Sequence, residues 1–114
     1  MPRFNVALNQ EDDHLLEAII NWAVGGDSTI ITGVVGQVIR VYRYFLVVGG
    51  ATNITYKDQT IALTGPVPLA ANEAMVFTFD TKPWYTCAVG DNFVINSSNA
   101  VQVSGRAYYT QLNA

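Results

Sequence analysis

Apolar residues recur with the rhythm of β-strands along most of this chain. From about Asp27 onward, segments rich in Val, Ile, Thr, Tyr and Phe are interrupted every 8–12 residues by clusters of Gly, Asn, Asp, Ser or Pro. This spacing is typical of all-β sandwiches and barrels. We therefore predict an all-β fold, a two-sheet antiparallel sandwich of jelly-roll type with about eight short strands, because that arrangement gives each strand one covered face.

The longest apolar segment, Gln37–Val48, is predicted to be a central strand. Both of its alternating faces are largely apolar, so we expect it to be covered on both sides for part of its length. Strict alternation divides its side chains into two sets: Ile39, Val41, Arg43, Phe45 and Val47 on one face, and Val38, Arg40, Tyr42, Tyr44, Leu46 and Val48 on the other.

Shorter signals place the turns and edges of the sheets. Asn53–Tyr56 and Thr60–Leu63 flank three polar residues and are predicted to form a hairpin. Pro66 and Pro68 remove backbone donors, so their segment is predicted to be an edge strand or a loop between sheets. In the last predicted strand, Gly105 indicates a bulge or a close approach of two backbones.

The beginning of the chain has a different character. Four of the nine acidic residues lie within the first 24 positions. Apolar residues there recur at helical spacing, at Leu15, Leu16, Ile19, Ile20 and Ala23, while a strand is the alternative interpretation. We assign residues 1–26 to an N-terminal arm with a short helix, and residues 27–114 to the β-sandwich domain.

Composition narrows the classes of function. Charged residues make up 13% of the chain and the net charge is −3, which argues against nucleic-acid binding because that requires a basic face. No apolar run approaches the length of a membrane span. With one Cys and one His, the chain lacks the usual zinc ligands and acid–base groups. We therefore expect no cofactor, no metal and no enzymatic activity, and we expect Cys87 to be a buried, inert thiol.

Aromatic residues are the most informative feature of the composition. Tyr, Trp and Arg dominate protein–protein contacts, and this chain has more large rings than a small core needs. We therefore predict a protein interface, with a second copy of the chain or another protein as partner. The candidate interface residues are Arg3, Phe4, Arg40, Tyr42, Tyr44, Trp84, Tyr85 and Tyr108.

The β region also resembles a known family. The central segment Gln37–Val48, the stretch Thr64–Asn72, and the later segments Trp84–Gly90 and Ala100–Gly105 are similar to small virion proteins of tailed bacteriophages. The family is that of capsid decoration, or cement, proteins with a jelly-roll-like fold. The resemblance implies a structural virion protein, a homotrimer on the outer surface of the capsid that bridges and stabilises major capsid subunits.

Three further interpretations accompany the resemblance. Residues 1–9 are interpreted as an arm that crosses a subunit boundary, anchored by Arg3 and Phe4. A jelly-roll carbohydrate-binding module, with Trp84 and Tyr85 as the stacking platform for a sugar, is the alternative function. A structural role in the phage tail or baseplate is a second alternative.

Overall fold

The computed structural model describes residues 15–79 and 81–114. Within these ranges the chain forms ten β-strands and no helix, so no described segment is a helix long and apolar enough to cross a bilayer. The strands are β1 (Leu16–Trp22), β2 (Gly26–Ile31), β3 (Gln37–Val48), β4 (Thr52–Asp58), β5 (Ile61–Ala62), β6 (Val67–Leu69), β7 (Ala74–Phe77), β8 (Tyr85–Thr86), β9 (Phe93–Ser97) and β10 (Val103–Asn113).

The strands form two antiparallel sheets that pack face to face. Sheet A has the order β1-β10-β3-β7, with β8 also pairing with β3; sheet B has the order β2-β9-β4-β5, with β6 also pairing with β4. Both β5 and β6 lie along the outer side of β4, and both β7 and β8 along the outer side of β3, so each pair is one interrupted edge. Counted this way, the strand order is that of a jelly roll, which confirms the predicted fold class.

The core lies between the two sheets and is rich in β-branched and aromatic side chains. Tyr56 and Phe93, from neighbouring strands of sheet B, are its largest fully buried members. Sheet A contributes the other half: Ile20, Ile39, Val41, Tyr44, Leu46, Val48, Val103 and Ala107. Because each strand presents alternate residues to this space, every strand of the core has one covered face.

The first strand replaces the predicted helix, which was wrong. β1 pairs along its whole length with β10, and Ala18, Ile20 and Trp22 face the core. Both interpretations of this segment bury Ile20, and pairing with the long last strand decides between them. The sandwich therefore begins ahead of the boundary placed at residue 27.

A β-bulge interrupts the alternation of β3. Tyr108 pairs with Arg43 while Tyr109, the next residue of β10, pairs with Val41, so Tyr42 is an extra residue in β3. As a result Val41 and Tyr44, three positions apart, are both buried. The two sets of side chains predicted by strict alternation are therefore wrong, because the parity of the strand changes at Tyr42.

Three local predictions are confirmed. β4 and β5 form the expected hairpin. The segment with Pro68 is an edge strand, β6, which pairs with β4 alone. At Gly105, in the middle of sheet A, a Cβ atom would lie 1.9 Å from the carbonyl oxygen of Phe45, so this glycine permits a close approach between β10 and β3.

Candidate functional site

The side of sheet A that faces away from sheet B exposes large apolar side chains. The register places Ile19, Arg106, Phe45 and Val76 in one row across β1, β10, β3 and β7. Ile19 is 69% exposed, Val76 67% and Phe45 43%, values typical of side chains that the fold does not need to bury.

We call this surface the sheet A face. It contains four exposed apolar residues and, between them, three arginines and a tyrosine: Ile19, Phe45, Val47, Val76, Arg40, Arg43, Arg106 and Tyr108. Apolar side chains with interspersed Arg and Tyr have the composition of protein interfaces. The sheet A face is therefore the strongest candidate for a functional surface.

A groove crosses the middle of the sheet A face. It has a volume of about 260 Å³ and is lined by Arg43, Tyr44, Phe45, Val76, Phe77, Thr78 and Tyr108. The Arg43 guanidinium carbon lies 4.0 Å from the centroid of the Tyr108 ring, the geometry of a cation–π contact. Cross-strand pairing of Tyr108 with Arg43 fixes this arrangement.

The outer side of sheet B is polar. Lys57 Nζ lies 2.9 Å from an Asp27 carboxylate oxygen, and Asn96 Nδ2 donates to the same carboxylate at 2.7 Å. The hydrogen bond from Asn96, together with Lys57, lowers the pKa of Asp27 below its ordinary value. Strands β2, β9 and β4 thus close a charged network over this side of the sandwich.

A cluster of aromatic rings fills one half of the core. Tyr44 is 3% exposed, and its ring stacks on Phe77 at a centroid distance of 4.8 Å. Its hydroxyl lies 2.9 Å from that of Tyr85, whose ring stacks on Tyr56 at 4.8 Å. Burial raises the pKa values of Tyr44, Tyr56 and Tyr85, so all three hydroxyls remain protonated.

The candidate interface residues are divided between the surface and the core. Arg40 and Tyr108 lie on the sheet A face, where both are half-buried. Tyr44 was wrongly placed at an interface: the bulge turns it into the core. Tyr85 packs against core rings, so most of its ring is withdrawn from solvent. Arg3 and Phe4 lie outside the described residues.

Trp84 and Tyr42 lie at the margin of the sheet A face. Trp84 is 42% exposed, its ring lies T-shaped to that of Phe77 at a centroid distance of 4.7 Å, and its Nε1 donates to the Thr78 carbonyl oxygen. Tyr42 stacks on Phe79 at 5.8 Å. Both are therefore held in place by neighbouring groups.

Sequence reasoning missed the main contributors to this surface. Phe45 and Val76 are the exposed apolar pair at its centre, and Arg43 lines its groove. The available signal was the pairing of Arg43 with Phe45 on one face of the central strand. The prediction instead grouped Tyr44 with Arg40 and Tyr42 on one face of this strand, because the bulge leaves no mark in the sequence.

Two carboxyl groups meet at one end of the sandwich. Asp58, at the end of β4, accepts a hydrogen bond from the Ala88 amide through Oδ2, while its Oδ1 is buried and accepts none within residues 15–79 and 81–114. The neighbouring Asp58 carboxylate raises the pKa of Asp91. Burial, with help from both carboxylates, raises the pKa of Cys87 to about 12, so this thiol is buried and stays protonated at neutral pH.

The described part of the chain contains no cluster of metal-ligating side chains. In 15–79 and 81–114, no three His, Cys, Asp or Glu side chains come close enough to share a metal ion. Asp12, Asp13 and His14, the acidic cluster near the start of the sequence, lie outside these ranges. Comparison with protein-family models and with curated proteins finds no match to this chain.

Proposed function

We propose that this protein is a structural component of a bacteriophage virion, a homotrimeric decoration or cement protein on the outer surface of the capsid. The major capsid protein and further copies of the chain are its partners. The observation that carries the proposal is the sheet A face, with Phe45, Val76 and Ile19 exposed in one row. An apolar surface of this kind on a small domain indicates a partner that covers it.

The rest of the molecule is consistent with a docking role. A cement protein needs a rigid body and a surface that fits a repeated partner. The interlocked rings of Tyr44, Tyr56 and Tyr85 provide a stiff core. Weak contacts by each copy suffice, because a trimer engages several sites at once and the effective concentration strengthens attachment.

The carbohydrate-binding alternative is less well supported. A sugar platform built from Trp84 and Tyr85 requires two exposed ring faces. Trp84 is exposed, but the Tyr85 ring packs against Tyr56 and Phe93. The pair therefore offers one accessible ring, and the sheet A face is the larger unexplained surface.

The test combines a native mass with co-sedimentation on assembled shells. We expect light scattering to give the mass of a trimer, and we expect the chain to pellet with capsids that lack it. Val76→Ser should weaken attachment about tenfold, since one buried aliphatic side chain contributes about 1.5 kcal/mol or more. Ile61→Ser is the matched control, because Ile61 is 66% exposed on an edge strand of sheet B.

Three outcomes separate the alternatives. A monomeric chain that does not pellet with capsids contradicts the proposal. Attachment to purified tails or baseplates instead of capsids moves the structural role to that part of the virion. Equal loss of attachment in Val76→Ser and Ile61→Ser removes the sheet A face from the docking model.

A further inference from the structure

Arg43 occupies an unusual environment for a charged side chain. Its Nε–H is buried and donates to no acceptor among the residues that the structure describes. One side of the guanidinium is covered by the Tyr108 ring, and apolar Phe45 and Val76 form the walls of the groove beside it. A buried charged donor without an acceptor is costly, so this group is poised for an acceptor that enters the groove.

Charge on sheet A is unbalanced around this group. The strands of sheet A contain three arginines, Arg40, Arg43 and Arg106, and one acidic residue, Glu17. Glu17 is already paired with Arg106 at 2.9 Å. Among the residues that the structure describes, no carboxylate is paired with Arg43, although the chain as a whole has a net charge of −3.

The size of the groove limits what can fill it. Pockets for small molecules and cofactors have volumes of about 300–1,000 Å³. A groove of about 260 Å³, open along the sheet, matches one or two side chains of a protein better than a cofactor. Apolar walls beside a cation select an acidic side chain with apolar neighbours.

We propose that Arg43 and Tyr108 form a carboxylate receptor on the sheet A face, which binds a Glu or Asp side chain flanked by apolar residues on the docking partner. The guanidinium fork presents parallel N–H groups that fit the two oxygens of a carboxylate. Stacking on Tyr108 holds the fork in place, so little side-chain entropy is lost on binding. This inference rests on the proposed docking role of the sheet A face and names the chemistry of its partner.

The experiment uses two peptides and the full-length chain. N-acetyl-Val-Glu-Val-amide, or the same peptide with Gln in place of Glu, is titrated into ¹⁵N-labelled protein. The NMR chemical shifts of the Phe45, Val76 and Tyr108 amides are followed. We expect the Glu peptide to bind about tenfold more tightly than the Gln peptide, as charge-assisted hydrogen bonds of this kind permit. Arg43→Gln should abolish that preference, and Arg43→Lys should lose most of it because the fork is gone.

Arg40→Gln is the matched control, since it removes the same charge from the same face of sheet A. If Arg40→Gln and Arg43→Gln lower the preference for the Glu peptide equally, the preference comes from the overall positive charge of the face, and the receptor is overturned. Equal binding of the two peptides overturns it as well. Binding that appears only after neutralising Glu11, Asp12, Asp13 and Asp80 identifies the chain's own acids as the occupant and overturns the partner assignment.

Co-sedimentation of Arg43→Gln with capsids separates this inference from the proposed function. If the wild-type chain binds the Glu peptide but not capsids, the virion role is rejected and the receptor stands. If Arg43→Gln binds capsids as tightly as the wild-type chain does, the receptor is rejected and the virion role stands.

Discussion

The outer sides of the two sheets differ in chemistry: that of sheet B is polar, and that of sheet A is largely apolar. Sheet B closes its exterior with Asp27, Lys57 and Asn96, whose charges and amides satisfy one another. Sheet A leaves Phe45 and Val76 exposed although its inner side is as well packed as that of sheet B. Since one sheet of the same fold has a polar exterior, the fold itself does not require an apolar one, and we propose that the apolar exterior of sheet A contacts a partner.

The largest expected effect distinguishes inner from outer aromatic residues. Phe93→Ala should lower the free energy of unfolding by about 4 kcal/mol, because it leaves a cavity between the sheets. Phe45→Ala removes an equally large side chain from the sheet A face and should cost about 1 kcal/mol or less. Urea denaturation of both variants measures the difference. Similar losses would show that Phe45 contributes to folding, and would weaken its assignment to docking.

The next effect concerns the backbone of sheet A. Gly105→Ala should lower the free energy of unfolding by about 3 kcal/mol, because the added methyl group meets the backbone of Phe45 and Leu46. Gly65→Ala is the control, since nothing lies within 4 Å of its added Cβ. Thermal unfolding of the two variants tests this, and a neutral Gly105→Ala would contradict the close approach of β10 and β3.

A smaller effect is expected where the sheets meet at one end. The pKa of Asp91 is raised, so its contribution to stability is present below the ordinary aspartate pKa of 3.8 and is lost as the pH rises through the folded value. Asp91→Asn should therefore be more stable than the wild type at pH 7 and equal to it in acid. Melting temperatures across this pH range measure the change. A stability difference that is independent of pH would show that Asp58 and Asp91 do not interact.

The smallest effect belongs to the polar exterior of sheet B. The pKa of Asp27 is lowered, so its contribution is present above pH 3.8 and is lost as the pH falls through the folded value. Asp27→Asn should cost about 0.5 kcal/mol at neutral pH, the usual size for an exposed ion pair, and less in high salt. Urea titrations at two salt concentrations test this. A cost well above that value would indicate that the network also shapes the core.

The sequence predicts the fold well because strand patterns and turn residues act locally. The 8–12 residue rhythm, the edge position of Pro68 and the close approach at Gly105 all follow from the chemistry of single segments. The first strand was not predictable in this way. Helix and strand bury overlapping sets of residues there, and only pairing with β10 decides between them.

The candidate functional surface was harder to predict than the fold for one physical reason. Its location depends on which face of β3 points outward, and the bulge at Tyr42 changes that partway along the strand. Tyr44 therefore lies in the core, while Arg43 and Phe45 lie outside. Nothing in the residues around Tyr42 distinguishes a bulged strand from a regular one, since Val, Tyr and Arg are acceptable in both.

The bulge lets β3 hold one residue more than its partner β10 while the core-facing residues on both sides of it still point inward. Substitution at Tyr42 leaves the count of residues intact, and the segments on either side keep their orientation. Deletion of Tyr42 would remove the extra residue and leave a regular strand, in which Val41 and Tyr44 still face the core and Arg43 still faces outward. Deletion of a paired residue such as Phe45 would instead turn one half of the strand over, so the position of a length change decides whether β3 keeps its two faces.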